Sequence, residues 1–347
     1  MSKAPVKVVY TSAGGLGHTG IIDAILSNGE REIDILCGDI RNDCPASFFY
    51  PFRQFPPIKT PDYTDQILEI SKEFCANVIV PNHTDELMLF SQKRSVFEEN
   101  DIHIVVNTSD VLENVLDKGR CFDIVSDAGL PVPEYVRVLT PHAIKEAALN
   151  LGYPKKVVCL KPSSYPHGGS RGFFILKPNG RQGLLSNMPS GNVISLDEAV
   201  TALETEGMPE LLVTEYLPGD EYSTYLLCES GKVGYCVPNL RLELMNSFSF
   251  KAQAVYNPKV TETASAIAEA LKLDYCVNIQ LKMNEAGVPC LVEVNPRFAG
   301  ALCLSAAAGV NMPYLAIMSA LGETVPTGLR IKWGTRMIRY WKEIFVP

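Results

Sequence analysis

The stretch from Cys276 to Gly300, CVNIQLKMNEAGVPCLVEVNPRFAG, constrains this chain more than any other. Two apolar runs, Val277–Met283 and Cys290–Val294, flank Asn284-Glu285-Ala286-Gly287, so the segment reads as a hairpin of two strands. Side chains alternate along a strand, so Glu293 and Asn295 share a face, while Gln280 sits on the partner strand. A carboxylate and two amide oxygens are hard donors of the kind Mg²⁺ takes while keeping phosphate oxygens in its shell. Arg297, just past the second strand, carries a rigid fork of N–H donors suited to phosphate. The bland alternative is an amphipathic hairpin whose Asn-Pro only makes a turn.

The rest of the chain bounds the class. Its 347 residues, 46% hydrophobic and 20% charged, are enough for two or three globular domains. A formal net charge of −8 argues against a nucleic-acid partner, which would call for a basic face. The ten cysteines include no C-x-x-C pair and no Cys/His metal spacing. No signal peptide and no apolar run of about 18 residues appear, which predicts reduced thiols, a cytoplasmic location and no membrane partner.

The chain opens with a strand, Val6–Tyr10, a glycine turn, a helical pattern over Ile21–Ser27 and a second strand, Ile33–Cys37. This is a βαβ start. Gly15-x-Gly17-x-x-Gly20 with Asp39 matches the dinucleotide fingerprint, a weak signal alone, so an NAD enzyme stays open beside a turn whose amides face a cleft. Pro81-Asn82-His83 follows the strand Val78–Val80, where open α/β sheets bind ligands, with Thr84 or Asp85 as helix N-cap. His83 is a substrate candidate there, against the plainer reading of a solvated loop histidine.

Lys118 starts a helix that stops at Gly129-Leu130-Pro131. Lys161 ends the strand Val157–Leu160 and precedes Ser163–Gly172, a Gly/Ser loop with His167, Gly168, Gly169 and Ser170 at its centre. Such a loop suits a lid closing on phosphate through backbone N–H groups, and it is not a P-loop. Further on, the strand Leu211–Thr214 runs into Glu215-Tyr216-Leu217 and, after a turn, Glu221. Arg241 and Lys251 flank Met245–Phe250 and are candidates for a substrate carboxylate or phosphate. Arg336–Trp341 reads as a closing strand.

Taken in order, Lys118, Lys161 with its glycine loop, the Glu215–Glu221 hinge and the Gln280–Arg297 hairpin resemble the ATP-grasp superfamily, especially its carbamoyl-phosphate-synthase-like branch. The resemblance implies an α/β fold: a Rossmann-like domain (1–112), then a two-lobed ATP-grasp domain with a lid part (113–214) and a carboxyl-terminal part (215–347). It implies ATP and Mg²⁺ as cofactors, with Mn²⁺ as an alternative metal. Gln280, Glu293 and Asn295 would hold the metal. Lys118, Lys161 and the 167–170 loop would meet the phosphates, Glu215 to Leu217 the adenine edge, and Glu221 the ribose. Arg297 and Lys161 would stabilise charge during catalysis. The glycine turn, Gly15 and Gly17, would lie beside the acceptor.

The activity implied is a carboxylate–amine ligase working on small molecules through an acyl phosphate, with a homodimer left open. Bicarbonate activation and a non-catalytic nucleotide-binding regulator are the competing readings. The loop in the family is Gly/Ser-rich where this chain has Arg171. The carbamoyl-phosphate branch also carries a second arginine three positions after Arg297, where this chain has Gly300. On sequence alone, that difference is expected to open space for an organic acid or an amine.

Overall fold

The structure, a computed structural model, describes residues 3–164, 172–180, 192–245 and 247–346. It divides into two compact units. One holds Met1–Glu113, Tyr222–Gln280 and Asn295–Pro347, and the other Asn114–Glu221 and Leu281–Val294.

The first unit opens with five parallel strands: β1 (Val6–Tyr10), β2 (Ile33–Asp39), β3 (Phe52–Gln54), β4 (Val78–Val80) and β5 (His103–Ile104). Their order is β3-β2-β1-β4-β5. Val8, Val9, Tyr10 and Val78 to Val80 are all fully buried, which is why β1 and β4 read as unbroken apolar runs rather than alternating ones. The order reverses at β1, so the loops after β1 and β4 frame the crevice where such sheets bind ligands.

The second unit has β6 (Tyr135–Val138), β7 (Val158–Pro162), β8 (Phe174–Leu176), β9 (Val193–Ile194) and β10 (Leu211–Glu215), in the order β6-β10-β7-β8-β9. Helices Pro141–Asn150 and Leu196–Glu206 cover it, burying Ile144, Ala148, Ala199 and Val200 against Leu160, Leu176 and Val213. Helix Lys118–Asp127 begins at the N-cap Asp117.

A third sheet joins β11 (Glu221–Glu229), β12 (Lys232–Met245), β13 (Phe248–Ala254), β14 (Tyr275–Met283), β15 (Pro289–Asn295) and β16 (Arg336–Ile338) in the order β15-β14-β11-β12-β13-β16. The 281–294 end of the β14–β15 hairpin belongs to the second unit. Within the first unit one core unites Tyr10, Ile21 and Ile22 with Tyr225, Val237, Leu302 and Tyr314. Asn107 seals the join by donating to Asp274 O at 3.1 Å and accepting from Asp274 N at 2.7 Å.

The mixed α/β class read from the sequence is the class observed. Two local readings change. The cap of helix Thr84–Gln92 is His83, not Thr84 or Asp85: its Nδ1 accepts from Asp85 N, and Glu86 closes a capping box back onto His83 N at 2.8 Å. The closing strand ends at Ile338 rather than Trp341. Arg339 follows it, and its guanidinium donates to Ser249 O at 2.9 Å and to Gly300 O at 2.6 Å.

Candidate active site

In the second unit the nucleotide-type residues are built on two strand ends. Asp117 caps helix Lys118–Asp127, accepting from Arg120 N at 2.8 Å and from Ser163 Oγ at 2.9 Å. Lys118 N in turn donates to Ser163 O at 2.6 Å. These bonds pin the helix start to the end of β7, which carries Lys161. The Lys118 ammonium lies 3.7 Å from Glu293 Oε2. Lys161 is buried, with Nζ 3.2 Å from Val292 O and 4.5 Å from the Phe122 ring centroid. Burial pushes its pKa down to about 8, with the charge of Lys118 adding to the fall and Glu293 opposing it. Two lysines and one carboxylate thus gather where helix Lys118–Asp127, β7 and β15 present them.

The hinge lies in the same unit. Glu215 is locked to the end of β6: its N donates to Glu134 O at 2.9 Å, and its Oε1 accepts from Glu134 N at 3.1 Å. Its side chain and its N–H therefore shape the hinge by holding it to Glu134. Leu217 is buried, Tyr216 carries Lys282 Nζ 5.0 Å over its ring, and Glu221 is half-buried at the start of β11. His167, Gly168, Gly169 and Ser170, with Arg171, lie outside the described residues.

In the first unit the glycine turn packs inward. Gly14 N donates to Asp39 Oδ2 at 2.8 Å, and Arg41 N donates to Asp39 Oδ1 at 3.0 Å. The His18 ring lies so close to Gly15 that a Cβ there would stand 2.6 Å from it. The groups of the dinucleotide fingerprint are therefore engaged internally. Tyr10 Oη lies 2.9 Å from His18 Nδ1. Burial, with Arg297 and Arg339 adding, drives the His18 pKa down to about 3, so the ring that shares this hydrogen bond is neutral at ordinary pH. Glu86 binds the two crevice loops together, accepting from Thr11 Oγ1, Ser12 Oγ, Asn82 N and His83 N on Oε1 and from Tyr63 Oη on Oε2. The His83 ring stays largely exposed and serves the cap.

Gln280 on β14 and Asn295 on β15 also belong to this unit, and Arg297 Nη1 donates to Phe298 O at 2.9 Å. Gly300 corrects the expectation of open space. A Cβ on Gly300 would lie 2.6 Å from Leu16 O, a backbone atom, so the glycine permits close contact between two loops. Arg339 reaches the same loop contact, donating from its guanidinium to Gly300 O at 2.6 Å. Sequence reasoning missed Arg339, since a residue past a short edge strand carries no local signal. Arg241 donates to Ser249 Oγ at 3.2 Å and to Ser247 O. Lys251 is instead paired with Glu243 at 2.6 Å on an exposed stretch of β13.

Comparison with known proteins agrees with this architecture. The family described as "ATP-grasp in the biosynthetic pathway with Ter operon" matches residues 207–337, the hinge through β16. N5-carboxyaminoimidazole synthetase from Staphylococcus aureus, complexed with ADP, superposes with a TM-score of 0.68 at 17% identity, over 96% of this chain and 82% of its own. Biotin carboxylase from Campylobacter jejuni gives a TM-score of 0.68 at 14% identity, over 94% and 73%. L-amino acid ligase from Bacillus licheniformis gives 0.62 at 12%, over 92% and 75%. The chain has the ATP-grasp fold. The likeness to these structures is one of fold, and the family model matches the part from the hinge through β16.

Proposed function

We propose that the chain is an ATP-dependent carboxylate–amine ligase acting through an acyl phosphate. The observation that carries the reading is the grouping of Lys118, buried Lys161 and Glu293 in the second unit, which also holds the hinge of Glu215 to Leu217. Paired ammonium groups suit a polyphosphate, and a carboxylate among them suits the metal that accompanies it. The names of the similar structures, a synthetase, a carboxylase and an amino acid ligase, agree with ATP-driven bond formation at carboxyl groups.

The donor set fits a hard divalent cation. Glu293 offers a carboxylate and Gln280 and Asn295 offer amide oxygens, without thiolate or imidazole. Among the described residues no three His, Cys, Asp or Glu side chains group to hold an ion. Glu293 of the second unit would offer the carboxylate to Mg²⁺ beside nucleotide oxygens, with Gln280 and Asn295 the amide donors that the resemblance implies, and when bound the ion would neutralise phosphate charge.

In the reaction a substrate carboxylate oxygen attacks the γ-phosphorus, forming a C–O–P bond as the bond to the β-phosphate oxygen breaks and ADP leaves. An amine then attacks the acyl carbon, a C–N bond forms, and phosphate departs as the amine gives up its proton. Lys118, Lys161 and Arg297 hold charge on the transferring phosphoryl group, and none is asked to act as a base. Hydroxylamine should capture the acyl phosphate as a hydroxamate when the right acid is supplied with ATP. Should bicarbonate alone drive ADP release, with no acid of a broad panel yielding hydroxamate, the chain activates bicarbonate instead.

A further inference from the structure

Phe122 stands one helical turn after Lys118, on the same side of the helix Lys118–Asp127. Its ring is fully buried, and Lys161 Nζ lies 4.5 Å from its centroid. That is well inside the range over which an ammonium is drawn to the negative face of an aromatic ring. Further contacts hold the ring where it is. Tyr135 packs edge-to-face on it, with centroids 5.2 Å apart and planes at 69°, and the Tyr135 phenol donates to Asp123 on the same helix. The helix itself is fixed to the end of β7 through Asp117, Lys118 and Ser163.

These contacts meet a physical difficulty. Lys161 sits almost wholly out of water, where a bare ammonium is unfavourable and its proton is easily lost. A carboxylate in direct contact would stabilise it, but would also cancel the charge that a phosphate needs. Lys161 takes a carbonyl instead, Val292 O at 3.2 Å, together with the Phe122 ring. Both are electron-rich and carry no net charge, so they steady the ammonium and leave its charge in place. Lys118 is placed differently, with Glu293 Oε2 3.7 Å away. The charge of Glu293 also reaches Lys161, and one carboxylate against two ammoniums leaves these three groups net positive.

We propose that Phe122 is a positioning residue for ATP binding, its ring face holding the Lys161 ammonium in place for the polyphosphate. The inference rests on the proposed function, in which Lys161 meets the phosphates, and adds to the nucleotide site a side chain with no polar atom. A packing role alone would need only apolar volume at this position. The attraction depends instead on the electron density of the ring face. Fluorine withdraws that density and changes the volume of the ring little.

The test replaces Phe122 by phenylalanines carrying one, two or three ring fluorines. Calorimetric titration then gives the Kd of the β,γ-imido analogue of ATP with Mg²⁺. Kd should rise stepwise with each fluorine and reach roughly 10-fold at three. Phe122→Leu, which keeps an apolar side chain and removes the ring, should weaken binding at least as far. Thermal melts follow folding, and the fluorinated series keeps the packing even where Phe122→Leu melts early. In a Lys161→Met background the same series should leave Kd flat. A Kd unchanged by fluorination overturns this inference, and the ligase reading stands where Lys161→Met still weakens binding. A fluorine effect that persists in Lys161→Met also overturns it, since the ring would then act other than through Lys161. Analogue binding untouched by Lys161→Met overturns both.

Discussion

Lys118 Nζ stands 3.7 Å from Glu293 Oε2, and the charge of this same carboxylate also acts on Lys161. Glu293 thus sets one negative charge against two ammonium groups before any nucleotide arrives. The first prediction follows from removing it. Glu293→Ala should reduce ADP formation by roughly 100-fold or more, because the strongest candidate metal donor is gone. Because Lys161 is buried and would lose its counter-charge, a loss of folding stability of about 1–3 kcal/mol should accompany it. Steady-state ADP release with a thermal melt checks both parts, and near-normal turnover would remove Glu293 from the metal set.

A second prediction concerns Glu86. It is fully buried and serves only as an acceptor, taking hydrogen bonds from Thr11, Ser12, Asn82, His83 and Tyr63. Glu86→Gln places an NH₂ group against donors and leaves at least one unsatisfied. Destabilisation of about 2–4 kcal/mol is expected, larger than for an exposed carboxylate. Urea unfolding reads it directly, and a change below about 0.5 kcal/mol would show that the two crevice loops do not depend on this residue.

Most of the local structure was legible in the sequence because its signals are short-range. The apolar runs of β1 and β4 and the Asn284–Gly287 turn of the hairpin each lie within a few residues, and each formed where read. What could not be read depends on residues far apart in the chain. Gly300 shows this best: its neighbour is Leu16 O, nearly three hundred positions away, so the apparent opening was already filled. Arg339 was invisible for the same reason, since its partners are Ser249 and Gly300.

That loop contact gives the third prediction. Gly300→Ala should destabilise the protein by about 1–3 kcal/mol, because the new methyl meets a backbone oxygen that cannot rotate away. Gly17 faces the other side of the same contact at φ 85°, so Gly17→Ala adds conformational strain to the clash. The two costs should be less than additive in the double variant, since the first substitution already parts the loops. Thermal melts of both single variants and the double variant test this, and full additivity would mean that the loops are independent.

The last prediction concerns Lys161 and protons. Its pKa, near 8, lies below the ordinary lysine value of 10.5 because the ammonium is buried and sits near Lys118. At pH 8 about half the molecules therefore carry a neutral Lys161. A bound polyphosphate places negative charge beside the amine, favours the charged form and raises the pKa. Nucleotide binding at pH 8 should accordingly take up roughly half a proton, and less at pH 7, where the group is mostly charged already. Calorimetric titration of ATP in buffers of different ionisation enthalpy gives the number, and Lys161→Arg should abolish the uptake because arginine stays charged. Stability must show the linked effect. Between about pH 8 and pH 10.5 the unfolded chain holds the proton that the folded chain has released, so the contribution of Lys161 to stability rises with pH in that window. A binding enthalpy independent of the buffer at pH 8, in the wild type, would show that Lys161 does not meet the phosphates.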